Sequence, residues 1–192
     1  MLQDALEYND KFVRNEGYKP YLTNKYPDKK LAILTCMDTR LIELLPAALG
    51  LRNGDVKILK NAGGIVSHPY GSVIRSLIIA IYQLGVEAVW VVGHTDCGME
   101  HSDTDLLINR MIGRGVRAEV IAELRENGLD FEHWLGGFSD VCEAVRETME
   151  VIRQHPLIPA DVVVEGLLID SVTGRLEQIH ALSVKEIERG GE

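Results

Sequence analysis

The chain has 192 residues and a mass of 21.4 kDa, which suits a single compact domain. Hydrophobic residues make up 46% and charged residues 26% of the chain, which is typical of a globular protein and argues against a disordered or fibrous one. Twenty Lys and Arg against 29 Asp and Glu give a formal net charge of −9, which disfavours nucleic acid or an anionic membrane surface as a partner.

The sequence favours a protein of a reducing compartment. Its apolar stretches are far shorter than the roughly 20 residues of a membrane-spanning helix. Residues 1–12 lack the basic start and apolar middle of a secretory signal, so we expect a cytoplasmic location. Three cysteines, Cys36, Cys97 and Cys142, form no disulfide framework, and in such a compartment thiols serve as metal ligands, nucleophiles or small core residues.

An amphipathic helix is predicted at the start of the chain. Leu2, Leu6 and Val13 recur at helical spacing within residues 2–14, with charged residues between them. Because an apolar stripe needs a cover, we expect this helix to dock on the domain itself or on a partner subunit.

From residue 31 onward, predicted strands alternate with predicted helices. The predicted strands cover residues 31–34, 56–60, 86–92, 161–169 and 175–179. The predicted helices cover residues 41–49, 71–84 and 139–154, with two or three short ones between 103 and 135. The alternation predicts an α/β fold with a central, mainly parallel sheet of four to five strands flanked by helices. We expect the helix at 71–84 to be deeply buried, because it is apolar on most of its circumference.

Two loops at predicted strand ends carry soft metal ligands. Cys36 follows the first strand, and His94 and Cys97 follow the third. Functional groups of a parallel sheet lie beyond the carboxyl ends of its strands, so these three side chains can meet. Two thiolates and one imidazole form a zinc set that leaves the fourth tetrahedral position for water or substrate. The alternative is that both cysteines are small buried side chains at strand ends.

Two further side chains of the first loop are candidates for a role beside the metal. Asp38 and Arg40 stand two residues apart, so in an extended segment they point the same way. They would form a charge-assisted hydrogen-bonded pair, or else an ordinary surface ion pair of under about 1 kcal/mol. We expect Asp96 to shape the turn after His94 through bonds from its side chain to the backbone.

Three motifs in this order resemble the β-class carbonic anhydrases. They are C-x-D-x-R at 36–40, Lys-Asn-Ala-Gly-Gly at 60–64 and H-x-x-C at 94–97. The likeness also covers the helix segment 72–77 and the His-Pro-Leu-Ile-Pro segment at 155–159, so it runs over nearly the whole chain. The sequences Cys-Met-Asp at 36–38 and His-Thr-Asp-Cys-Gly-Met at 94–99 are most similar to the short, archaeal-type branch of that family.

The resemblance implies reversible hydration of CO₂ to bicarbonate and a proton, with zinc-bound hydroxide as the nucleophile. It implies one Zn²⁺ per chain on Cys36, His94 and Cys97, with Asp38 as a further ligand only in a closed form. Asp38 and Arg40 are the implied catalytic residues, the carboxylate orienting the zinc-bound water and the guanidinium holding the carboxylate. We expect the closed form to be favoured at lower pH, where hydroxide competes less well with Asp38 for the fourth ligand position.

The resemblance also implies an assembly, a homodimer or homotetramer with the site at a subunit interface. Within a single domain spanning 1–192, we expect a helical arm at 1–20 that packs on a partner subunit and an α/β core at 30–180.

Three other interpretations remain open at this point. Carbonyl sulfide and carbon disulfide differ from CO₂ mainly in size and in their sulfur atoms, so the same zinc site would suit their hydrolysis. A non-catalytic zinc-binding paralogue would keep the ligands, although a structural site normally has a closed fourth position and needs no Asp38–Arg40 pair. A redox or nucleophilic cysteine enzyme lacks support, because the chain has no C-x-x-C motif and no persuasive Cys–His–acid order.

Overall fold

The computed structural model describes residues 1–180, which form five strands and seven α-helices. The strands are β1 (Leu31–Cys36), β2 (Val56–Asn61), β3 (Ala88–His94), β4 (Val163–Ile169) and β5 (Leu176–Ile179). The helices are α1 (Leu2–Arg14), α2 (Leu44–Ala48), α3 (Ser72–Leu84), α4 (Thr104–Gly113), α5 (Ala118–Glu126), α6 (Phe131–Leu135) and α7 (Val141–Arg153). Within residues 1–180, no helix combines the length and apolarity that a bilayer crossing requires.

The five strands form one sheet in the order β2-β1-β3-β4-β5. Neighbouring strands are parallel except for β5, which runs antiparallel to β4. This confirms the predicted α/β fold with a mainly parallel sheet. In the pairing of β1 with β3, Thr35 lies opposite Val92. Cys36 at the end of β1 and His94 at the end of β3 therefore leave the sheet side by side.

Alternate side chains of the central strands supply two hydrophobic cores. All six residues of β1 are buried, as expected of a strand that is covered on both faces. Leu34 packs in a core with Leu77 of α3 and Met149 of α7. Ile33 packs in a second core with Leu45 of α2. Helices thus pack on both faces of the centre of the sheet, next to the strand ends that carry the candidate ligands.

A glycine in β3 lets α7 approach the sheet directly before the candidate histidine. A Cβ atom at Gly93 would lie 2.7 Å from Val141 Cγ2 and 2.8 Å from Val145 Cγ2. Carbon atoms in contact are about 3.5–4.0 Å apart, so any side chain here would push the helix away. The packing of α7 on Gly93 thus sets the position of the neighbouring His94.

Two helices differ from the sequence-based expectations. The helix predicted at 41–49 forms only as a 3₁₀ turn at Thr39–Leu41 followed by α2. The expectation that α3 is deeply buried is wrong for residues 1–180, since Ile74, Leu77 and Ala80 are buried but much of the remaining apolar circumference is only half-buried. Periodicity showed that α3 is apolar, but not how much of it this chain covers.

Candidate metal centre

The loops after β1 and β3 bring Cys36, His94 and Cys97 into one buried cluster. Cys36 ends β1, His94 ends β3, and Cys97 follows in the next turn. Their sulfur and ring-nitrogen atoms all lie within 4.8 Å of one another. The three side chains that the sequence singled out as ligands therefore meet, and as a group they could hold a metal ion.

The distance between the two sulfur atoms suits a shared zinc ion and not a disulfide. Cys36 Sγ and Cys97 Sγ are 3.9 Å apart, whereas a disulfide joins its sulfurs at about 2.05 Å. Two sulfurs bound to a tetrahedral zinc, each about 2.3 Å from the metal, would be about 3.8 Å apart. The thiol pair thus already has the spacing that Zn²⁺ requires.

His94 anchors one ring nitrogen and turns the other into the cluster. Nδ1 donates a 2.9 Å hydrogen bond to the carbonyl of Thr95, so the neutral ring carries its lone pair on Nε2. That Nε2 atom is buried and makes no hydrogen bond of ordinary geometry to any group in residues 1–180. A buried nitrogen without a partner is costly, and coordination to a metal would remove the cost. The residues present fit a zinc ion.

The surroundings of the two thiols differ. Burial acts to raise the pKa of the Cys36 thiol, but the contact with His94 and the backbone N–H groups of Asp38 and Gly63 outweigh it and lower the pKa to about 7. Burial raises the pKa of Cys97 to about 11, and the negative charge of Cys36 adds to that effect. Cys36 thus loses its proton more readily than Cys97, and binding of a cation favours the thiolate form of both.

Asp38 and Arg40 form a two-point ion pair beside the cluster. Arg40 Nε donates to Asp38 Oδ1 at 3.0 Å, and Nη2 donates to Oδ2 at 2.8 Å. These hydrogen bonds hold the pKa of the Asp38 carboxyl well below its usual range. Asp38 Oδ2 also lies 3.9 Å from His94 Nε2, so the carboxylate borders the cluster while it stays bound to the arginine.

The predicted pairing of Asp38 with Arg40 is present, but its local geometry differs from the prediction. Asp38 is the N-cap of the 3₁₀ turn at Thr39–Leu41, and its Oδ1 accepts a 2.8 Å bond from the Arg40 backbone N–H. The two side chains therefore meet across a capped turn and not along an extended segment. A short polar side chain that caps a turn fixes its own direction, which keeps the carboxylate aimed at the cluster.

Asp96 binds the far side of Arg40, a contact that the sequence analysis missed. Arg40 Nη1 donates to Asp96 Oδ2 at 2.7 Å, and Nη2 donates to the Asp96 carbonyl at 2.7 Å. The prediction that the Asp96 side chain bonds to its own turn is wrong, because its carboxylate reaches across to the loop after β1. A signal was available: an arginine has five N–H groups, more than the single carboxylate of Asp38 can accept.

The Asn-Ala-Gly-Gly loop after β2 supports Cys36 through its backbone. Gly64 has a φ of +69°, and a Cβ atom there would lie 2.8 Å from the Cys36 nitrogen. A residue with a side chain is therefore disfavoured at Gly64 both by the left-handed backbone and by the close approach. Beside it, the Met37 N–H donates to the Asn61 carbonyl at 2.8 Å, which ties the loop to the residue after the cysteine.

A cleft of about 830 Å³ lies between the loop after β2, α6 and α7. Its wall includes the apolar side chains of Ile65, Leu135 and Phe138. Within the described part of the chain, none of the three candidate ligands lines this cleft. The cleft is therefore a neighbour of the metal centre and not its cavity.

The fold and the site define an α/β protein with a Cys-His-Cys cluster that could hold a metal ion, at the carboxyl end of a parallel sheet. A family model described as carbonic anhydrase matches residues 31–178. YtiB of Bacillus subtilis, provisionally named a carbonic anhydrase, is 47% identical over 179 residues, which cover 93% of this chain and 96% of YtiB. A carbon disulfide hydrolase of Acidithiobacillus thiooxidans is 30% identical over 177 residues, which cover 86% of each chain.

Solved structures agree with the sequence relatives. The crystal structure of a β-carbonic anhydrase from Trichomonas vaginalis matches with a TM-score of 0.85 and 32% identity, over 94% of this chain and 98% of that one. The chain belongs to the β-class carbonic anhydrase family. The resemblance seen in the three sequence motifs is thereby confirmed, and with it membership of a family of zinc enzymes.

Proposed function

We propose that this protein is a zinc-dependent carbonic anhydrase, which hydrates CO₂ reversibly to bicarbonate and a proton. The observation that carries the proposal is the buried cluster of Cys36, His94 and Cys97, with its unpartnered ring nitrogen. Zinc held there would act as a Lewis acid and make hydroxide available from water near neutral pH. Membership of the carbonic anhydrase family supports the same reaction.

Asp38 would orient the attacking water. The ion pair with Arg40 keeps the carboxylate ionised, so its oxygens accept hydrogen bonds and give up no proton. Two thiolates cancel the charge of Zn²⁺, so this donor set makes a water less acidic than three neutral imidazoles would. A hydrogen-bond acceptor such as Asp38 therefore contributes more to the activation of the water here than it would beside a more strongly charged centre.

Asp38 would also govern access to the fourth ligand position. Its Oδ2 is 3.9 Å from His94 Nε2, so a modest rotation away from Arg40 would carry it into the cluster. The bonds from Arg40 to both carboxylate oxygens oppose that rotation. The balance between an open and a closed site therefore depends on how firmly Arg40 itself is held.

Hydrolysis of carbon disulfide is the second candidate function. The observation in its favour is that a carbon disulfide hydrolase is among the relatives of this chain, although its identity is lower than that of YtiB. Both substrates need the same metal ligands, so the choice between them lies in turnover and not in the metal centre. A non-catalytic zinc protein would bind the metal and turn over neither.

Metal analysis combined with activity assays tests the proposal. We expect about one zinc per chain, CO₂ hydration that is lost on chelation and regained with added zinc, and much slower turnover of carbon disulfide. Circular dichroism of the chelated protein serves as the control for folding. Hydration that persists without metal would refute the proposal, and faster turnover of carbon disulfide than of CO₂ would establish the second candidate instead.

We further propose that the protein assembles as a homodimer or homotetramer, with residues 1–20 as an arm that packs on a partner subunit and 30–180 as the core. In the described part of the chain, none of the 13 residues of α1 is buried. Leu2 is 74% and Leu6 53% exposed, on the apolar stripe of that helix. A second copy of the chain supplies a cover for this stripe.

Charge placed on the stripe is expected to break the assembly. We predict that Leu6→Glu lowers the mass measured by light scattering from that of a dimer or tetramer to that of a monomer, because a carboxylate is costly to bury in an apolar contact. The matched control is Lys11→Glu, which adds the same side chain on the polar side of α1 and is expected to keep the wild-type mass. An unchanged mass for Leu6→Glu would show that the stripe is covered within one chain.

A further inference from the structure

We propose that Asp96 is a positioning residue that locks Arg40 in place and thereby holds Asp38 in the open arrangement, an inference that rests on the proposed function. The Asp96 carboxylate is exposed and bonds to Arg40, and it is not one of the three candidate ligands. It acts through two other residues, so its effect is on the balance between the open and closed positions of the Asp38 carboxylate.

The guanidinium of Arg40 is bracketed by two carboxylates. Asp38 accepts from Nε and Nη2, and Asp96 accepts from Nη1 through its carboxylate and from Nη2 through its carbonyl. The Arg40 side chain is 37% exposed, so packing alone does not hold it. Charge-assisted bonds on both sides leave the planar group with one orientation, the one in which it grips both oxygens of Asp38.

The bracket also joins the two loops that carry the ligands. Arg40 follows Cys36 on the loop after β1, and Asp96 lies between His94 and Cys97 on the loop after β3. The contact between Arg40 and Asp96 therefore fixes the carboxylate of one loop relative to the imidazole and the second thiol of the other.

The backbone at Asp96 separates the role of its carboxylate from the role of its conformation. Its φ of +54° lies in the left-handed region, which glycine adopts freely and which asparagine and aspartate tolerate better than most residues. Replacement by glycine or asparagine therefore leaves the turn unstrained. Glycine removes the bond to Nη1, whereas asparagine keeps an oxygen acceptor and removes only the charge.

These two substitutions separate two opposing effects. Loss of the hydrogen bond from Nη1 leaves only the backbone carbonyl of residue 96 on that side of the guanidinium, which holds Arg40 less firmly and weakens its grip on Asp38. Loss of the charge leaves Arg40 with one carboxylate to neutralise, which strengthens its attraction to Asp38. If Asp96 acts by positioning, Asp96→Gly opens the way for Asp38 to enter the cluster, and Asp96→Asn behaves like the wild type.

Azide binding to the cobalt-substituted protein reports directly on the open position. Cobalt(II) replaces zinc in the same kind of site, and azide added to it changes the visible spectrum where a ligand position is free. We expect Asp96→Gly to need about 10-fold more azide than the wild type, at the low end of the 10–100-fold effects of outer-shell residues. Asp96→Asn should stay within about two-fold, and CO₂ hydration should follow the same order.

A second substitution shows whether the effect passes through Asp38. In the double variant Asp38→Asn with Asp96→Gly, no carboxylate is left to enter the cluster, so azide binding should return to that of Asp38→Asn alone. The exposed pair of Asp105 and Arg125 supplies the control, and Asp105→Asn should change nothing. Equal azide binding by the wild type and Asp96→Gly, or a loss in Asp96→Gly that the double variant retains, would overturn the inference.

The two proposals fail in different ways. A wild-type protein that binds cobalt and azide but hydrates no CO₂ would refute the proposed function, while the azide order of the variants would still decide the role of Asp96. A protein that hydrates CO₂ with full activity and unchanged azide binding in Asp96→Gly would refute the role of Asp96 alone.

Discussion

Replacement of Cys36 by serine is expected to strip the protein of zinc and of activity. We predict that Cys36→Ser retains less than about a tenth of the wild-type zinc and loses more than about 100-fold in CO₂ hydration, since outer-shell losses alone cost about 10–100-fold. A serine hydroxyl stays protonated near neutral pH. The surroundings of Cys36, in contrast, lower the pKa of its thiol to about 7. Metal analysis of the purified protein and stopped-flow hydration assays measure the two effects.

Cys142 offers a matched control in the same chain. It is a free, half-buried thiol on α7, outside the cluster of candidate ligands. Cys142→Ser makes the same chemical change and is expected to leave zinc content and hydration within about two-fold of the wild type. Full zinc content and activity in Cys36→Ser would refute the assignment of the ligands. Activity in the wild type that survives chelation but not Cys36→Ser would point to a nucleophilic cysteine instead.

Much of the core was predictable because local patterns reflect burial. The continuous apolar run 31–34 and the largely apolar stretch 86–92 predicted central strands of a parallel sheet, and most of their residues are buried. Parallel strands end at a common edge, so the ligands after β1 and β3 were expected at that edge. The meeting of Cys36 with His94 follows from the adjacency of these two strands, which is a property of the whole sheet.

The remaining features depend on contacts that no local pattern encodes. Asp96 and Arg40 are 56 residues apart, and only the folded sheet brings them within hydrogen-bond distance. The partial burial of α3 depends on which other elements of the fold pack against it, whereas its sequence indicates only that it is apolar. Gly64 was visible in the sequence as part of a motif. The reason that a glycine is needed there is tertiary packing, because a Cβ atom at this position would clash with the Cys36 backbone.

Asp38 and Arg40 are expected to behave as one functional unit. We predict that Asp38→Asn and Arg40→Gln each lower kcat/KM for CO₂ hydration by about 100-fold, the upper end of the cost of an outer-shell residue. Asp38→Asn removes the charged acceptor that orients the water. Arg40→Gln removes the bonds that hold this acceptor in place. Because the pKa of Asp38 lies well below its usual range, the wild-type carboxylate stays ionised throughout the assay.

A double-mutant cycle tests that coupling. If the arginine acts only through the carboxylate, the double variant should lose no more than the worse of the two single variants, whereas independent roles would multiply the losses to about 10⁴-fold. Glu87→Gln breaks an exposed ion pair with Lys30 and is expected to leave kcat/KM unchanged. Full activity in Asp38→Asn would remove the carboxylate from the reaction. Multiplied losses in the double variant would give Arg40 a role of its own, in contact with the substrate or the metal centre.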